Sequence, residues 1–320
     1  MRAINRYRGL LLLVTLLSLW AVGGYAFHRA DRWYDNRDYE LLSDLIRYKA
    51  DIAETTKGRR ILIAGGSNAY YSIDTRILEA QLGVRVLNVA LPFGAHHHRI
   101  NLSVIEDLVQ PGDLVVYASA GFWQGRRHDM RRAFAFDAWL AENGPSGYER
   151  QFDEPALPWQ PLPHRSTLLL AMVEAVSPPD LQPWTEDTDS NGNFTGCQPA
   201  PVVEPQRFGS ELPDADLAAA LDDAAERLHG LGAGLVMHMP WLYIRDSDRE
   251  RWVAFLDHFI SRYEPDLPVV AANPKAVLRS ERDDFCDSPL HLSAEATRQR
   301  SEALARALKP YVKGRTVTGS

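Results

Sequence analysis

The sequence predicts an α/β protein with a parallel sheet covered by helices on both faces. Three observations lead there: short β-rich apolar runs recur along the chain, amphipathic stretches separate them, and small-residue or proline-containing turns follow the runs. The chain has 320 residues, 45% hydrophobic and 24% charged, values ordinary for a folded globular protein and ample for one or two domains. The expected strands are Ile61–Ala64, Arg85–Val89, Leu114–Ala118, Gly234–His238 and Val269–Ala272. The expected helices are Thr75–Leu82, Ile100–Val109, Ala215–Leu231 and Arg249–Tyr263, each with apolar residues three and four apart. A last helix, Ala294–Leu308, begins after Ser293, a good cap, with Glu295 in its first turn.

The N-terminal region reads differently. The first thirty residues contain no Asp or Glu, and Arg2, Arg6 and Arg8 precede an almost wholly apolar run from Leu10 to Phe27. About 18–20 apolar residues span a hydrocarbon core, so residues 1–28 are expected to be a cytoplasmic tip and transmembrane anchor, with Trp20 and Tyr25 near its outer end. A cleaved signal peptide is the rival, but the run exceeds the usual 7–15 residues and no small-x-small site closes it. The body is therefore expected outside the cytoplasm, which in a bacterium is the periplasm. Residues 29–58, polar and mixed in charge, are expected to be a stalk with a short helix marked by Leu41, Leu42, Leu45 and Ile46. Residues 59–312 form the expected globular domain, interrupted after the third strand by an insertion over 121–213 rich in Pro, Trp, Gly and Asn. The tail over 313–320 is expected to fray.

A net charge of −7 argues against nucleic acid as a partner. Two cysteines, Cys197 and Cys286, are too few for a disulfide framework and lack the spacing of a zinc site. They can form at most one bridge, which an oxidising compartment would preserve. Such a bridge would tie the insertion to the loop that carries Asp287.

Two segments carry candidate chemistry. The first strand ends in Ala64-Gly65-Gly66-Ser67-Asn68, and the carboxyl end of a leading parallel strand is where α/β folds place ligand-binding turns. The glycines allow a tight turn, and Ser67 would be presented at a cleft. A phosphate cradle is the competing reading, but the Lys-Ser/Thr ending of a P-loop and the third glycine of a dinucleotide fingerprint are both missing. The second segment, Phe285-Cys286-Asp287-Ser288-Pro289-Leu290-His291-Leu292-Ser293, lies between the last strand and the last helix. An Asp and a His four residues apart in such a loop can hydrogen-bond, the carboxylate orienting the imidazole as a base for a serine. Both segments fall at one edge of the expected sheet.

In these residues the sequence resembles the SGNH (GDSL-like) hydrolase superfamily, particularly its membrane-anchored bacterial branch and the acetyltransferase-like proteins of exopolysaccharide modification. The resemblance covers about residues 59–120 and 214–310. It implies a flavodoxin-like three-layer α/β/α sandwich of about five parallel strands. It also implies a triad of Ser67 as nucleophile, His291 as base and Asp287 as orienter, with Gly66, Asn68 and Gly94 around the oxyanion or substrate. The superfamily's Gly-x-Asn-Asp block after the third strand is absent, because that stretch reads VVYASAGFWQG. The function implied is a periplasmic serine esterase or O-acyltransferase acting on a polysaccharide or another acylated small molecule. It would be anchored in the inner membrane, work beside a membrane acyltransferase and need no cofactor or metal. The alternative is a catalytically inactive glycan-binding or scaffold module. A nucleotide-binding domain using the Gly65-Gly66 turn is a third reading.

Other features weigh less. His96-His97-His98 has no carboxylate at ligand spacing and reads as a loop or helix start. Trp123, Trp139, Trp159, Trp184 and Trp241 could stack on sugars or fill the core. Asp189-Ser190-Asn191-Gly192-Asn193 lacks the full pattern of a calcium loop and reads as a turn.

Overall fold

The computed structural model describes residues 14–15, 18, 39–92, 98–118, 136–137, 139–142, 144, 185–194, 200–206, 208, 215–263, 267–271 and 273–312. The chain divides into two units, one of residues 1–41 with 154–182 and a larger one of residues 42–153 with 183–320. In the smaller unit Val14, Thr15 and Ser18 are helical, and the expected membrane span falls almost wholly outside the described residues. No helix among the described residues is long and apolar enough to cross a membrane.

The larger unit is α/β, built on a five-stranded parallel sheet. Its strands are β1 (Arg60–Gly65), β2 (Arg85–Asn88), β3 (Leu114–Ala118), β4 (Gly234–His238) and, after a short β5 (Leu242–Tyr243), β6 (Val269–Val270). The order across the sheet is β2-β1-β3-β4-β6. All four pairings are parallel, with Gly65 in register with Ala118 at the carboxyl edge. β1 and β3 are buried along their whole length, which explains why they read as continuous rather than alternating apolar runs. The last strand is two residues shorter than expected, and a small parallel pair of β5 with β7 (Leu278–Arg279) was not anticipated.

Helices connect and cover the strands. They are α1 (39–55), α2 (Ser67–Tyr70), α3 (Thr75–Leu82), α4 (His98–Leu108), α5 (Ala215–Gly230), α6 (Arg249–Tyr263), α7 (Pro274–Val277) and α8 (Ala294–Val312). α3 packs on α8, and α4 packs on α5. Asp74 caps α3 by accepting from the Arg76 N–H at 3.0 Å, and Gly83 ends it in the left-handed conformation. The expected stalk changes character from Leu42 onward. Leu42, Leu45, Ile46 and Ala53 are buried, so this part of α1 is core rather than a spacer. Buried Lys49 reinforces it, with Nζ donating to the carbonyls of Asn88, at 2.9 Å, and Ala90.

The amino end of the sheet is tied by a buried ion pair. Arg60 opens β1 and Asp113 precedes β3, and both side chains are wholly buried with Nη2 2.5 Å from Oδ2. Arg60 also donates to the carbonyls of Ala53 and, at 2.8 Å, Leu108, satisfying the carboxyl ends of α1 and α4.

Candidate functional site

Strand order reverses direction between β1 and β3, since the chain leaves β1 for β2 on one side and returns past it to β3 on the other. Open α/β sheets bind ligands at this switch point, beyond the carboxyl ends of the strands. Ser67 sits there, as the first residue of α2 directly after β1. The local sequence explains the turn. Gly65 has φ +133°, and a Cβ on it would lie 1.9 Å from the Ala118 carbonyl oxygen, so only glycine lets β1 and β3 close at this point. The Gly66 carbonyl then accepts from the N–H groups of Ala69 and Tyr70 at 2.9 and 3.1 Å.

Asn68, expected beside the substrate, is buried, and its Nδ2 donates to the Ala118 carbonyl at 3.3 Å. That side chain braces the turn against β3. From α4, Asn101 donates to the Gly65 carbonyl at 3.1 Å and braces it from another side. Gly94 lies outside the described residues, as do His96 and His97. His98 is buried at the start of α4.

Asp287 and His291 are brought together as the sequence predicts. His291 Nδ1 lies 2.7 Å from Asp287 Oδ1 in the loop before α8. The hydrogen bond to His291 is the main cause holding the Asp287 carboxyl below its ordinary pKa, so it is an ionised acceptor at neutral pH and Nδ1 carries the proton. With Nδ1 as the donor to Asp287, Nε2 is the ring position left to act as acceptor, the arrangement a general base requires. The loop is held by its own backbone and by Ser288. The Cys286 N–H donates to the His291 carbonyl at 2.9 Å, and Ser288 Oγ accepts from the His291 N–H at 3.1 Å.

This loop docks on the segment that follows Ser67. Buried Ser72 accepts from the Leu292 N–H at 2.9 Å and donates to the Leu290 carbonyl at 3.3 Å, gripping His291 from both sides in sequence. Tyr71 packs its ring on His291 with centroids 4.4 Å apart, while its own N–H donates to the Ser67 carbonyl at 2.8 Å. Burial, followed by nearby Asp287 and Asp187, pushes the Tyr71 hydroxyl up to about 12, so it stays protonated. No hydrogen bond joins the Ser67 hydroxyl to His291 among the described residues. The two are linked through Tyr71 and Ser72, both absent from the sequence-based expectations although they lie five residues or fewer from Ser67.

Cys286 is disulfide-bonded, and Cys197, the chain's other cysteine, lies outside the described residues. The Cys286 carbonyl accepts from the Ala200 N–H at 3.1 Å, so the end of the insertion reaches the Asp287 loop through its backbone as well. The Asp189–Asn193 segment is a turn. Asp189 Oδ1 accepts from the N–H groups of Asn191 and Asn193, at 2.9 and 3.0 Å, and Asn193 Oδ1 accepts from the Thr75 N–H and hydroxyl. Trp241 is buried with the Arg279 guanidinium 4.7 Å over its ring, a core position and not a sugar platform.

A groove of about 1060 Å³ opens beside the loop. Tyr71 and Phe194, in edge contact with centroids 4.7 Å apart, form its aromatic wall, and Arg76, Arg282, Asp283 and Arg298 contribute charge. Its arginines are engaged: Arg76 pairs with Asp74, Arg298 with Glu295 and Glu302, and Arg282 with backbone carbonyls. The groove therefore combines apolar walls with paired charges and is not a strong anion site. No protein-family model matches the sequence, and no curated protein matches it.

Proposed function

We propose that the chain is a membrane-anchored serine esterase or O-acyltransferase of the SGNH kind, acting on an ester, in the first instance an acetyl group, of a cell-surface or secreted polysaccharide. In this reading the larger unit is a flavodoxin-like three-layer sandwich with a long insertion after β3. The Leu10–Phe27 segment holds it to the inner membrane with the body in the periplasm. The observation that carries the proposal is the 2.7 Å Asp287–His291 pair, clamped through Ser72 to the segment that presents Ser67 at the switch point.

The chemistry follows from those positions. His291 Nε2 accepts the Ser67 proton as Oγ bonds to the ester carbonyl carbon, and the imidazolium that forms is stabilised by Asp287. Collapse of the tetrahedral adduct breaks the bond to the leaving alcohol, which takes the proton from His291. The acyl group then passes to water or to a sugar hydroxyl, whose proton goes to the same Nε2; the bond from the carbonyl carbon to Ser67 Oγ breaks, and Oγ takes that proton back from His291. The reading requires His291 Nε2 to lie within hydrogen-bond reach of Ser67 Oγ in the substrate complex; catalytic hydrogen bonds are commonly long in the free state. The aromatic wall and paired charges of the neighbouring groove suit a hydroxyl-rich acceptor. The testing experiment is turnover of 4-nitrophenyl acetate by the full chain in detergent. Activity lost in both Ser67→Ala and His291→Ala supports the proposal, and activity equal to wild type in either variant overturns it.

A second reading, a catalytically silent glycan-binding or scaffold module, is favoured by the lack of a direct Ser67–His291 hydrogen bond and by the missing asparagine block after β3. It requires the folded wild type to be inactive.

A further inference from the structure

Attack by Ser67 on a carbonyl creates negative charge at the β1–α2 turn, and a buried cation lies against that turn. Arg300 comes from α8, where Ala296, Arg300, Leu304 and Leu308 recur every four residues and are all buried. The side chain is wholly enclosed. Nη1 donates to the Asn68 carbonyl at 2.8 Å, Nε donates to His238 Nε2 at 3.0 Å, and Nη2 has no partner among the described residues. No carboxylate among the described residues pairs with it.

His238 cannot neutralise the charge. Burial, followed by the nearness of Arg300, holds its pKa well below the usual 6.5, so the ring is neutral at physiological pH. Its Nδ1–H donates to the Val270 carbonyl at 3.3 Å, which leaves Nε2 as a lone-pair acceptor for Arg300. Burial pulls the guanidinium down to about 9, which still leaves it cationic at neutral pH. A buried charge without a counter-ion opposes folding, and an apolar side chain of similar length would avoid that penalty.

We infer that Arg300 is a positioning residue for the Ser67 turn: its Nη1–H fixes the Asn68 carbonyl, and its unneutralised charge stabilises the negative charge that develops when Ser67 attacks an ester. The low dielectric of the enclosed site strengthens the effect, and the charge is in place before the reaction begins. The inference deepens the serine-enzyme reading and rests on it.

The test compares steady-state hydrolysis of 4-nitrophenyl acetate by the full-length wild type, Arg300→Met and Arg300→Lys in detergent. Removal of the charge is expected to lower kcat about 10–100-fold with KM within about twofold, and Arg300→Lys to recover most of that loss. A purely structural role would lower the melting temperature of both variants and leave the kcat of the folded fraction unchanged. Should Arg300→Met fail to fold, Arg300→Gln keeps an amide donor at the Nε position, facing His238, while removing the charge, and the same fall in kcat is expected. A neutral variant with kcat within about twofold of wild type overturns the inference, as does a lysine variant no better than the neutral one. A folded wild type without turnover removes the serine-enzyme reading and this inference together.

Discussion

Each end of the sheet buries an arginine, and the two are treated in opposite ways. At the amino end Arg60 faces Asp113, with both groups wholly buried, and its remaining donors are spent on the carbonyls that close α1 and α4. At the carboxyl end Arg300 has, among the described residues, a neutral ring and a carbonyl for partners, and one nitrogen with none. The first arrangement is complete and ties three elements together. The second leaves a charge uncompensated beside Ser67, the position where a reaction would need it. On the proposed reading, stability is built into one end of the sheet and chemistry into the other.

Substitutions at the two ends should therefore separate. The largest effect is expected on catalysis at the carboxyl end, where Asp287→Ala should lower kcat on 4-nitrophenyl acetate by about 10³–10⁴-fold. The melting temperature should change little, because the Asp287 side chain is 47% exposed. A variant that kept its rate would break the contrast. Asp113→Ala at the amino end should do the reverse. Stranding Arg60 is expected to cost about 3–5 kcal/mol in denaturant unfolding, while the folded fraction keeps its kcat within about twofold.

Ser72→Ala lies between the two in kind. It leaves the buried Leu292 N–H without its acceptor, at about 1–3 kcal/mol, and it loosens the grip on His291, so both stability and kcat should fall. Gly65→Ala adds backbone strain of about 1–3 kcal/mol at a positive φ, before the collision with the Ala118 carbonyl. Its unfolding midpoint and turnover should drop together.

The smallest expected effect is on the pH dependence of stability. The folded-state pKa of Asp287 is depressed, chiefly by the hydrogen bond to His291, so its stabilising contribution is present above the ordinary value of 3.8 and disappears as pH falls through the lower folded value. Unfolding midpoints of wild type and Asp287→Ala should therefore differ slightly at pH 6 and converge below pH 3.8. A difference that grew on acidification would contradict the assignment of the pair.

Most of this fold was legible in the sequence. β3 and β4 match the expected ranges, and α3 and α6 begin and end where their apolar spacing indicates, because buried parallel strands and amphipathic helices leave strong local patterns. The Ser67 turn and the Asp287–His291 loop were legible because both stand at the ends of recognisable elements. Gripping contacts were not legible in the same way. Ser72 gave no local signal, since its partners are residues 290 and 292, more than two hundred positions away. Arg300 did leave a trace, as a charged residue on the apolar stripe of the last helix. Its acceptors, Asn68 and His238, are a product of tertiary packing, and no periodicity encodes them. Likewise, the polar residues flanking Leu42 and Leu45 suggested a stalk, whereas the fold buries one face of that helix against the body.

The most direct test of the carboxyl end as a serine-enzyme site is to treat the folded full-length chain with a fluorophosphonate and map the adduct by mass spectrometry. The tryptic peptide from Ile61 to Arg76 contains Ser67 together with Tyr70, Tyr71, Ser72 and Thr75, so fragmentation discriminates among their hydroxyls. A single adduct on Ser67, lost in His291→Ala and retained in a folded Asp113→Ala, is the expected result. An adduct on another residue of that peptide, or a folded chain that takes up no label, would contradict a nucleophilic Ser67 and leave the paired Asp287 and His291 without the reaction assigned to them.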